Sequence, residues 1–388
     1  AHRSPHLVSA PLSSMREALA AAAAIRPRTA HGLPLFELCD YERCILPGVC
    51  GNKARKFASL CARPRLPALV SHGGPQSNAM LALAALAAAR GAELTYHTKP
   101  LPGWLRAAPT GSLAEARRLG MTLVEHPSAA GYEAAVRACR AAGGGGFVPQ
   151  GGACPDAEAG VAELASEIDA WWAGRSDTGC RSESAPTALR VVVPAGTGTT
   201  ALFLARHLSA SAGVQGARVF AVPCVGDAAY LRAQMAALDA ASGGRGVFPE
   251  LLEPPAAARL PFATPDAALM AAWRDGATAG LMLDLCYGAV AWRELRRRWL
   301  RGGSDERGAE GEGAAAGVGA ADEGGREWSP SAAEALLYIN CGGHEGLPSM
   351  LRRYERQGLL RAGERPVELL AQVQRTCGVN DLYVGDLS

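Results

Sequence analysis

Short apolar runs alternate with longer segments of helical periodicity along most of this chain. The runs predict strands at residues 66–71, 94–97, 122–124, 189–193, 219–222, 280–283 and 335–339. The periodic segments predict helices at 79–89, 112–119, 156–172, 201–208, 226–240, 267–277 and 289–301. Such alternation is typical of βαβ units, in which helices cover a parallel sheet. The pattern therefore predicts an α/β protein with open parallel sheets flanked by helices.

Glycines and small polar residues follow the first predicted strand. Residues 72–78 read His-Gly-Gly-Pro-Gln-Ser-Asn, directly before a helical pattern. Ser77 and Asn78 are suited to cap that helix through their side-chain oxygens. Because open α/β sheets bind ligands at the carboxyl ends of their strands, the same residues are also candidates for ligand contact. The two roles are compatible.

A second loop, residues 194–200, connects a predicted strand to a helix and reads Pro-Ala-Gly-Thr-Gly-Thr-Thr. Its glycines permit close backbone approach, its threonines supply hydroxyl donors, and the start of the helix presents free N–H groups to an anion. It lacks the lysine of a nucleotide P-loop and the third glycine of the dinucleotide fingerprint. We therefore predict a phosphate monoester site, with a plain strand-to-helix turn as the alternative. The predicted phosphate contacts are Gly196, Thr197, Gly198, Thr199 and Thr200.

The segment 51–57, Gly-Asn-Lys-Ala-Arg-Lys-Phe, carries the most reactive candidate. Asn52 is suited to cap a short helix, which places Lys53 in its first turn. There the helix dipole favours the neutral amine, the form that Schiff-base chemistry on a carbonyl cofactor requires. The alternative is an ordinary surface helix whose solvated face carries Lys53, Arg55 and Lys56.

Composition narrows the class of protein. The 388 residues are 48% hydrophobic and 20% charged, which is enough for two domains with full cores. A net charge of +2 gives no strong field for nucleic acid or an acidic membrane, so small ligands are favoured. The 11 cysteines never occur as Cys-x-x-Cys, which argues against a zinc site and a disulfide framework. We expect reduced thiols and no bound metal.

Targeting signals and low-complexity segments point to an intracellular protein. The longest apolar run, residues 79–89, is too short to span a bilayer, and no secretory signal is visible. Residues 1–30 contain several arginines and serines and a single acidic residue, Glu17, which predicts either a transit-like or a merely disordered N-terminus. We expect a cytoplasmic or organellar (plastid or mitochondrial) location and no secretion. Residues 302–327 are almost wholly Gly, Ala, Glu, Asp and Arg, which predicts a disordered insertion.

Five motifs, taken in order, resemble those of the 1-aminocyclopropane-1-carboxylate deaminase and D-cysteine desulfhydrase family. They lie at 51–56, 73–78, 196–200, 284–288 and 340–343. This family belongs to the tryptophan-synthase-β-like, fold type II pyridoxal-phosphate enzymes, and the resemblance covers roughly residues 30–350. It implies a small α/β domain at 57–186, a large cofactor-binding domain formed by 31–56 plus 187–388, and pyridoxal 5'-phosphate in the cleft between them.

The resemblance also implies a role for each matching residue. Lys53 would bond the cofactor aldehyde, and Asn78 would bond its phenolic oxygen. Ser77 would lie next to the reacting carbon, with Gln76 and Tyr287 on the substrate side. The loop at 196–200 would hold the phosphate, and Cys341 would lie near the pyridine nitrogen. For Tyr287 the alternative is a loop aromatic that only packs on the sheet.

Three departures from the family pattern affect the choice of substrate. Cys341 replaces the threonine of a common Thr-Gly-Gly motif, and a thiol is a weak donor. Gly288 replaces the glutamate that follows the tyrosine in the deaminases, so the ring would be a weaker electron sink. No tyrosine lies at 261–263, where the family has its second active-site tyrosine. These departures count against cyclopropane ring opening.

The sequence therefore predicts a pyridoxal-phosphate lyase of a small amino acid, with D-cysteine desulfhydration as the best guess. The alternatives are 1-aminocyclopropane-1-carboxylate deamination, a non-catalytic protein that still binds the cofactor, and a protein without a cofactor whose glycine loops are only turns. The expected partners are a small amino-acid substrate and a second copy of the chain in a homodimer, with neither nucleic acid nor membrane.

Overall fold

The computed structural model describes residues 23–142, 145–176, 186–299 and 334–379. Its strands are β1 Ala24–Ala30, β2 Leu33–Cys39, β3 Cys44–Leu46, β4 Val49–Cys50, β5 Leu69–His72, β6 Leu94–Thr98, β7 Thr122–Glu125, β8 Phe147–Val148, β9 Ala188–Ala195, β10 Arg218–Pro223, β11 Glu250–Leu251 and β12 Glu334–Ile339. Its α-helices are α1 Asn52–Lys56, α2 Ala58–Ala62, α3 Asn78–Ala89, α4 Gly103–Ala107, α5 Gly111–Arg118, α6 Ala129–Ala141, α7 Glu158–Ser176, α8 Thr199–Ser209, α9 Ala228–Ala241, α10 Ala267–Thr278, α11 Gly288–Trp299, α12 Leu347–Arg356 and α13 Pro366–Cys377. The predicted α/β class with parallel sheets and flanking helices is confirmed.

The larger sheet has six strands in the order β1-β2-β12-β9-β10-β11. Only β1 runs antiparallel to its neighbour; the other pairs are parallel. The central strand β9 is buried on both faces, as a continuous apolar run predicts. Val191 and Val193 pack with helices α7 and α8, whereas Val192 packs in a second cluster with helices α10 and α11.

The smaller sheet has four parallel strands in the order β7-β6-β5-β8. Helix α3 lies against it and is buried along nearly its whole length, with Met80, Leu83 and Leu86 fully inaccessible. Ser77 caps this helix by accepting a hydrogen bond from the backbone N–H of Met80 at 3.4 Å. The capping role predicted for Ser77 is therefore confirmed.

Two elements of the structure bear on the predicted domain division, which itself stays a prediction. Residues 24–30, expected in a disordered or transit-like terminus, form β1 at the edge of the larger sheet. Helix α7, placed by sequence in the small domain, packs with the larger sheet through Val161, Leu164 and Ile168. The predicted insertion at 302–327 and the first 22 residues lie outside the described residues.

Two local predictions are also wrong. Residues 280–283 form no strand, although Leu281, Met282 and Leu283 are fully buried. Cys44 and Cys50 form a disulfide across the β3–β4 hairpin, so the expectation that all thiols are reduced fails at this pair. Within the described part of the chain, no helix is both long and apolar enough to cross a bilayer.

Candidate active site

One cavity collects residues from both sheets. It is lined from the smaller sheet by the start of helix α3, and from the larger sheet by the loops after β9 and β12. The atom-free space, counted with its open mouth, is about 960 Å³.

Nearly all of the predicted site residues meet in this cavity. The predicted residues that line it are Lys53, Ser77, Asn78, Gly196, Thr197, Gly198, Thr199, Thr200, Tyr287 and Cys341. Gln76 is the exception, because its side chain donates to the carbonyl of Thr110 at 2.8 Å and does not line the cavity. The predicted substrate contact of Gln76 gains no support from its position.

Lys53 is fixed by a tight junction between two loops. Gly51, with φ +58°, precedes helix α1, and a side chain there would collide with the carbonyl oxygen of Cys341. The backbone N–H of Asn52 donates to that same oxygen at 3.0 Å. Gly51 rather than Asn52 is therefore the N-cap, and Asn52 instead accepts a hydrogen bond from the Lys53 amine at 3.1 Å.

Burial lowers the pKa of the Lys53 amine, because the cavity removes water from its ammonium form. Nearby acidic groups, among them Cys341 and Glu345, oppose that shift only in part. The neutral amine predicted from the helix dipole is thus favoured for a different reason. Helix α1 has only five residues, and the loss of solvent is the largest cause.

The loop after β9 carries hydrogen-bond donors without partners among the described residues. Gly198, at φ +73°, caps helix α8, and a side chain there would collide with Met235. The first backbone N–H groups of α8 have no intrahelical acceptor. The hydroxyl oxygen of Thr200 is buried and has no hydrogen-bond partner among the described residues. The loop therefore offers several unused donors to one anion.

Tyr287 lies directly over this loop. A Cβ atom at Gly196 would be 3.1 Å from the Tyr287 ring, so glycine is needed for the contact. Asp284 shapes the turn that carries the tyrosine, since its carboxylate accepts from the backbone N–H groups of Cys286, Tyr287 and Gly288 at 2.7–2.8 Å. Burial raises the pKa of the Tyr287 hydroxyl well above its usual value, so the phenol stays protonated at neutral pH.

Asn78 faces the loop that follows β12. Its amide nitrogen would be 2.9 Å from a Cβ at Gly343, and its amide oxygen is buried without a partner among the described residues. Buried amide oxygens are normally hydrogen-bonded. An unsatisfied one on the wall of a cavity is therefore suited to a ligand.

The cavity is also lined by residues that were not predicted as site residues, among them Lys56, Tyr230 and Glu345. The Lys56 amine donates to the carbonyl of Gly151 at 3.3 Å, and burial lowers its pKa to about 7. Lys56 belongs to the motif at 51–56, so the sequence did contain a signal for its place in the site. Tyr230 lies in a helix and Glu345 in a loop, and neither position carries a local sequence signal.

Phe262 lies where the family's second tyrosine is expected. Its ring packs against Tyr287 with centroids 5.2 Å apart, and 44% of the residue is exposed. Among the residues that the structure covers, no group of three or more His, Cys, Asp or Glu side chains is placed to bind a metal ion.

No family model matches this chain, and no curated protein matches it. Solved structures do. An ACC deaminase homologue is 16% identical with a TM-score of 0.57, over 92% of this chain and 100% of the other. O-ureido-L-serine synthase is 18% identical with a TM-score of 0.50, over 89% and 96%. A threonine deaminase from T.th. is 16% identical with a TM-score of 0.50, over 86% and 98%. The chain therefore has the two-sheet, tryptophan-synthase-β-like fold of the fold type II pyridoxal-phosphate enzymes.

Proposed function

We propose that this protein is a pyridoxal-phosphate-dependent lyase of a small amino acid, with D-cysteine as the leading substrate. One observation carries the proposal: the amine of Lys53 and the anion loop at 196–200 line the same cavity. A single molecule that joins an aldehyde to a phosphate would contact both. Solved structures of the same fold include an ACC deaminase homologue, O-ureido-L-serine synthase and a threonine deaminase.

The residues present fit pyridoxal phosphate. The buried donors of Thr200 and of the α8 N-terminus suit its phosphate, and the unpartnered amide of Asn78 suits its ring hydroxyl. Lys53 would be the attachment point for the aldehyde, and the Cys341 thiol would lie beside the ring nitrogen. Burial raises the pKa of Cys341 to about 12, so this group is an uncharged thiol. When bound, the cofactor supplies an electron sink for the bond that breaks at the α-carbon.

The protein's own groups would carry the proton transfers. Lys53 would remove the α-proton, because burial favours its uncharged amine, the form that accepts a proton. Ser77 and the protonated Tyr287 hydroxyl line the cavity and would orient the substrate carboxylate. The products from D-cysteine would be sulfide, pyruvate and ammonia.

The test compares the two lysines in the cavity. Lys53→Ala should lose the visible absorption band of the bound cofactor and at least roughly 10³-fold in sulfide release from D-cysteine. Lys56→Ala is the matched control, because its amine lines the same cavity yet bonds the carbonyl of Gly151; it should keep the band. Retention of both properties by Lys53→Ala would refute the assignment.

ACC deamination is the second candidate, favoured by the ACC deaminase homologue of the same fold. Release of 2-oxobutyrate from 1-aminocyclopropane-1-carboxylate, measured beside release of sulfide and pyruvate from D-cysteine, separates the two activities. A purified yellow protein inert toward D- and L-amino acids would instead support a non-catalytic cofactor-binding role.

A further inference from the structure

Glu345 places a carboxyl group without a partner on the wall of the cavity. The residue is only 9% exposed and lines the same cavity as Lys53 and Ser77. Its carboxyl receives a hydrogen bond from its own backbone N–H. Within the described residues, no other side chain forms a hydrogen bond or a salt bridge with it. A carboxyl buried in this way is costly unless something in the cavity uses it.

The neighbouring carboxyl group, that of Asp284, already has hydrogen-bond partners. Both of its oxygens accept backbone hydrogen bonds from the turn that carries Tyr287. The loop that carries Glu345 is itself held close to Asn78, since Cβ atoms at Gly343 and Gly346 would lie 2.9 Å and 3.9 Å from its amide. Of these two acidic groups, Glu345 is the one free to act on a ligand.

The protonation states of Glu345 and Lys53 complement each other. Burial raises the pKa of Glu345 to about 7, with a smaller contribution from the charge of Asp284 and an opposing one from Lys53. Burial lowers the pKa of Lys53, and the nearby carboxyl groups of Glu345 and Asp284 oppose that shift only in part. Burial thus favours an uncharged amine that can accept a proton at Lys53 and a protonated carboxyl group that can donate one at Glu345.

We propose that Glu345 is the general acid of this site, and that the substrate class includes small β-hydroxy amino acids such as serine. The inference rests on the proposed function. Thiolate and chloride depart without a proton, but hydroxide is a poor leaving group and must depart as water. A buried acid next to the base supplies what that step needs.

The proton balance closes without another reactant. Lys53 takes the α-proton, and the electron pair of the broken C–H bond expels the β-hydroxyl as its C–O bond breaks. Glu345 gives its proton to the departing oxygen, which leaves as water. The Lys53 ammonium then returns a proton to the Glu345 carboxylate, and both groups regain their starting states.

Substrates with different leaving groups test whether Glu345 is the general acid. The holoenzyme, Glu345→Gln and Glu355→Gln are assayed with both enantiomers of serine and of β-chloroalanine. Glu345→Gln should lower kcat for serine by about 10²-fold or more, with a loss for β-chloroalanine at least tenfold smaller. Glu355, exposed on helix α12, is the matched control, and its variant should behave as wild type with both compounds. Equal losses with the two compounds would indicate a structural role and overturn the proposal.

Two measurements do not depend on the activity of a variant. In the cofactor-free protein, the infrared carboxylic-acid band should contain a component with a titration midpoint near 7 that is lost in Glu345→Gln and kept in Glu355→Gln. Asp284, whose pKa burial raises to about 6, contributes a separate component that remains in both variants. In the wild-type enzyme, serine turnover should fall above the midpoint of the Glu345 component while β-chloroalanine turnover does not. If the band is unchanged in Glu345→Gln, or if the wild type processes β-chloroalanine but not serine, Glu345 is not the acid. If no compound reacts, D-cysteine included, the proposed function itself fails.

Discussion

Two faces of helix α1 bury cations in opposite ways. On one face Arg55 is 1% exposed, and its guanidinium donates to Asp40 at 2.9 Å and to both oxygens of Glu167 at 2.7 and 2.8 Å. On the other, Lys53 and Lys56 face the cavity, and neither forms a salt bridge with any described carboxylate. Residues only one or two positions apart on this helix thus differ in whether a carboxylate pairs with their charge.

That difference decides the chemistry of the two faces. The paired carboxylates raise the pKa of Arg55 against the loss of solvent, so its charge persists and serves only structure. The lysines have no such compensation, and burial lowers their pKa values. An uncharged amine is nucleophilic and basic, whereas a paired guanidinium is neither. The helix therefore uses one face as an anchor and the other as a reactive surface.

Removal of Arg55 should have the largest effect on stability. Arg55→Met leaves Asp40, which is completely buried, without its ion-pair partner and leaves Glu167 with Arg43 alone, and we expect a loss of about 3–5 kcal/mol in the free energy of unfolding. Urea denaturation measures it. Lys56→Met is the matched control in the same helix and should cost far less, since it removes no partner from a carboxylate. A loss below about 1 kcal/mol for Arg55→Met would mean that the two faces do not differ as described.

The comparison also shows why part of the site was predictable. Lys53 and the loop at 196–200 could be placed together because both belong to motifs of the family that the sequence resembles. Arg55 was open to interpretation as a solvated residue, and that alternative is wrong. Its partners Asp40 and Glu167 lie 15 and 112 positions away, and no local pattern reveals such pairing.

The wrong prediction of a strand at 280–283 also arises because the partners of these residues are not visible in the local sequence. An apolar run signals burial, not backbone pairing. Here the carbonyl of Met282 accepts from the side chains of Asn340, at 2.8 Å, and His344, at 2.6 Å, while Leu283 accepts from Trp273 at 2.7 Å. Side-chain donors that are distant in sequence replace the sheet partner, so the run is buried without being a strand. Glu345 and Tyr230 were not predicted either, because they come to the cavity through contacts with residues that are distant in sequence.

The pH dependence of stability should show the second-largest effect and come from the lysine face. The pKa of Lys56 is about 7 when folded and 10.5 as the ordinary value, so the unfolded chain binds more protons between these limits. Stability contributed by this group therefore rises with pH through that window. Relative to Lys56→Met, cofactor-free wild type should gain about 2–3 kcal/mol between pH 7 and 9.

Urea denaturation of both proteins across that pH range measures the difference. Lys53 titrates in the same sense in both proteins, so the difference reports Lys56 together with its charge coupling to Lys53. Parallel curves for the two proteins would mean that Lys56 remains charged on folding, and that the two faces of the helix treat their cations alike.

The hairpin next to the lysine face provides a further test, with a smaller expected effect, of whether the two faces of helix α1 are independent. The Cys44–Cys50 disulfide closes the β3–β4 hairpin, and Gly48 and Cys50 line the cavity. Since a crosslink restricts the unfolded chain, Cys44→Ser should cost about 2 kcal/mol for so short a loop. Cys139→Ser, at a half-buried free thiol, is the control and should cost less.

A double-mutant cycle then relates this hairpin to the arginine face. If the two faces are independent, Cys44→Ser should cost the same in wild type and in Arg55→Met, within about 0.5 kcal/mol. A larger coupling would show that the arginine anchor and the cavity face form one cooperative unit. In that case the Lys53 environment would depend on ion pairs that the cavity itself does not contain.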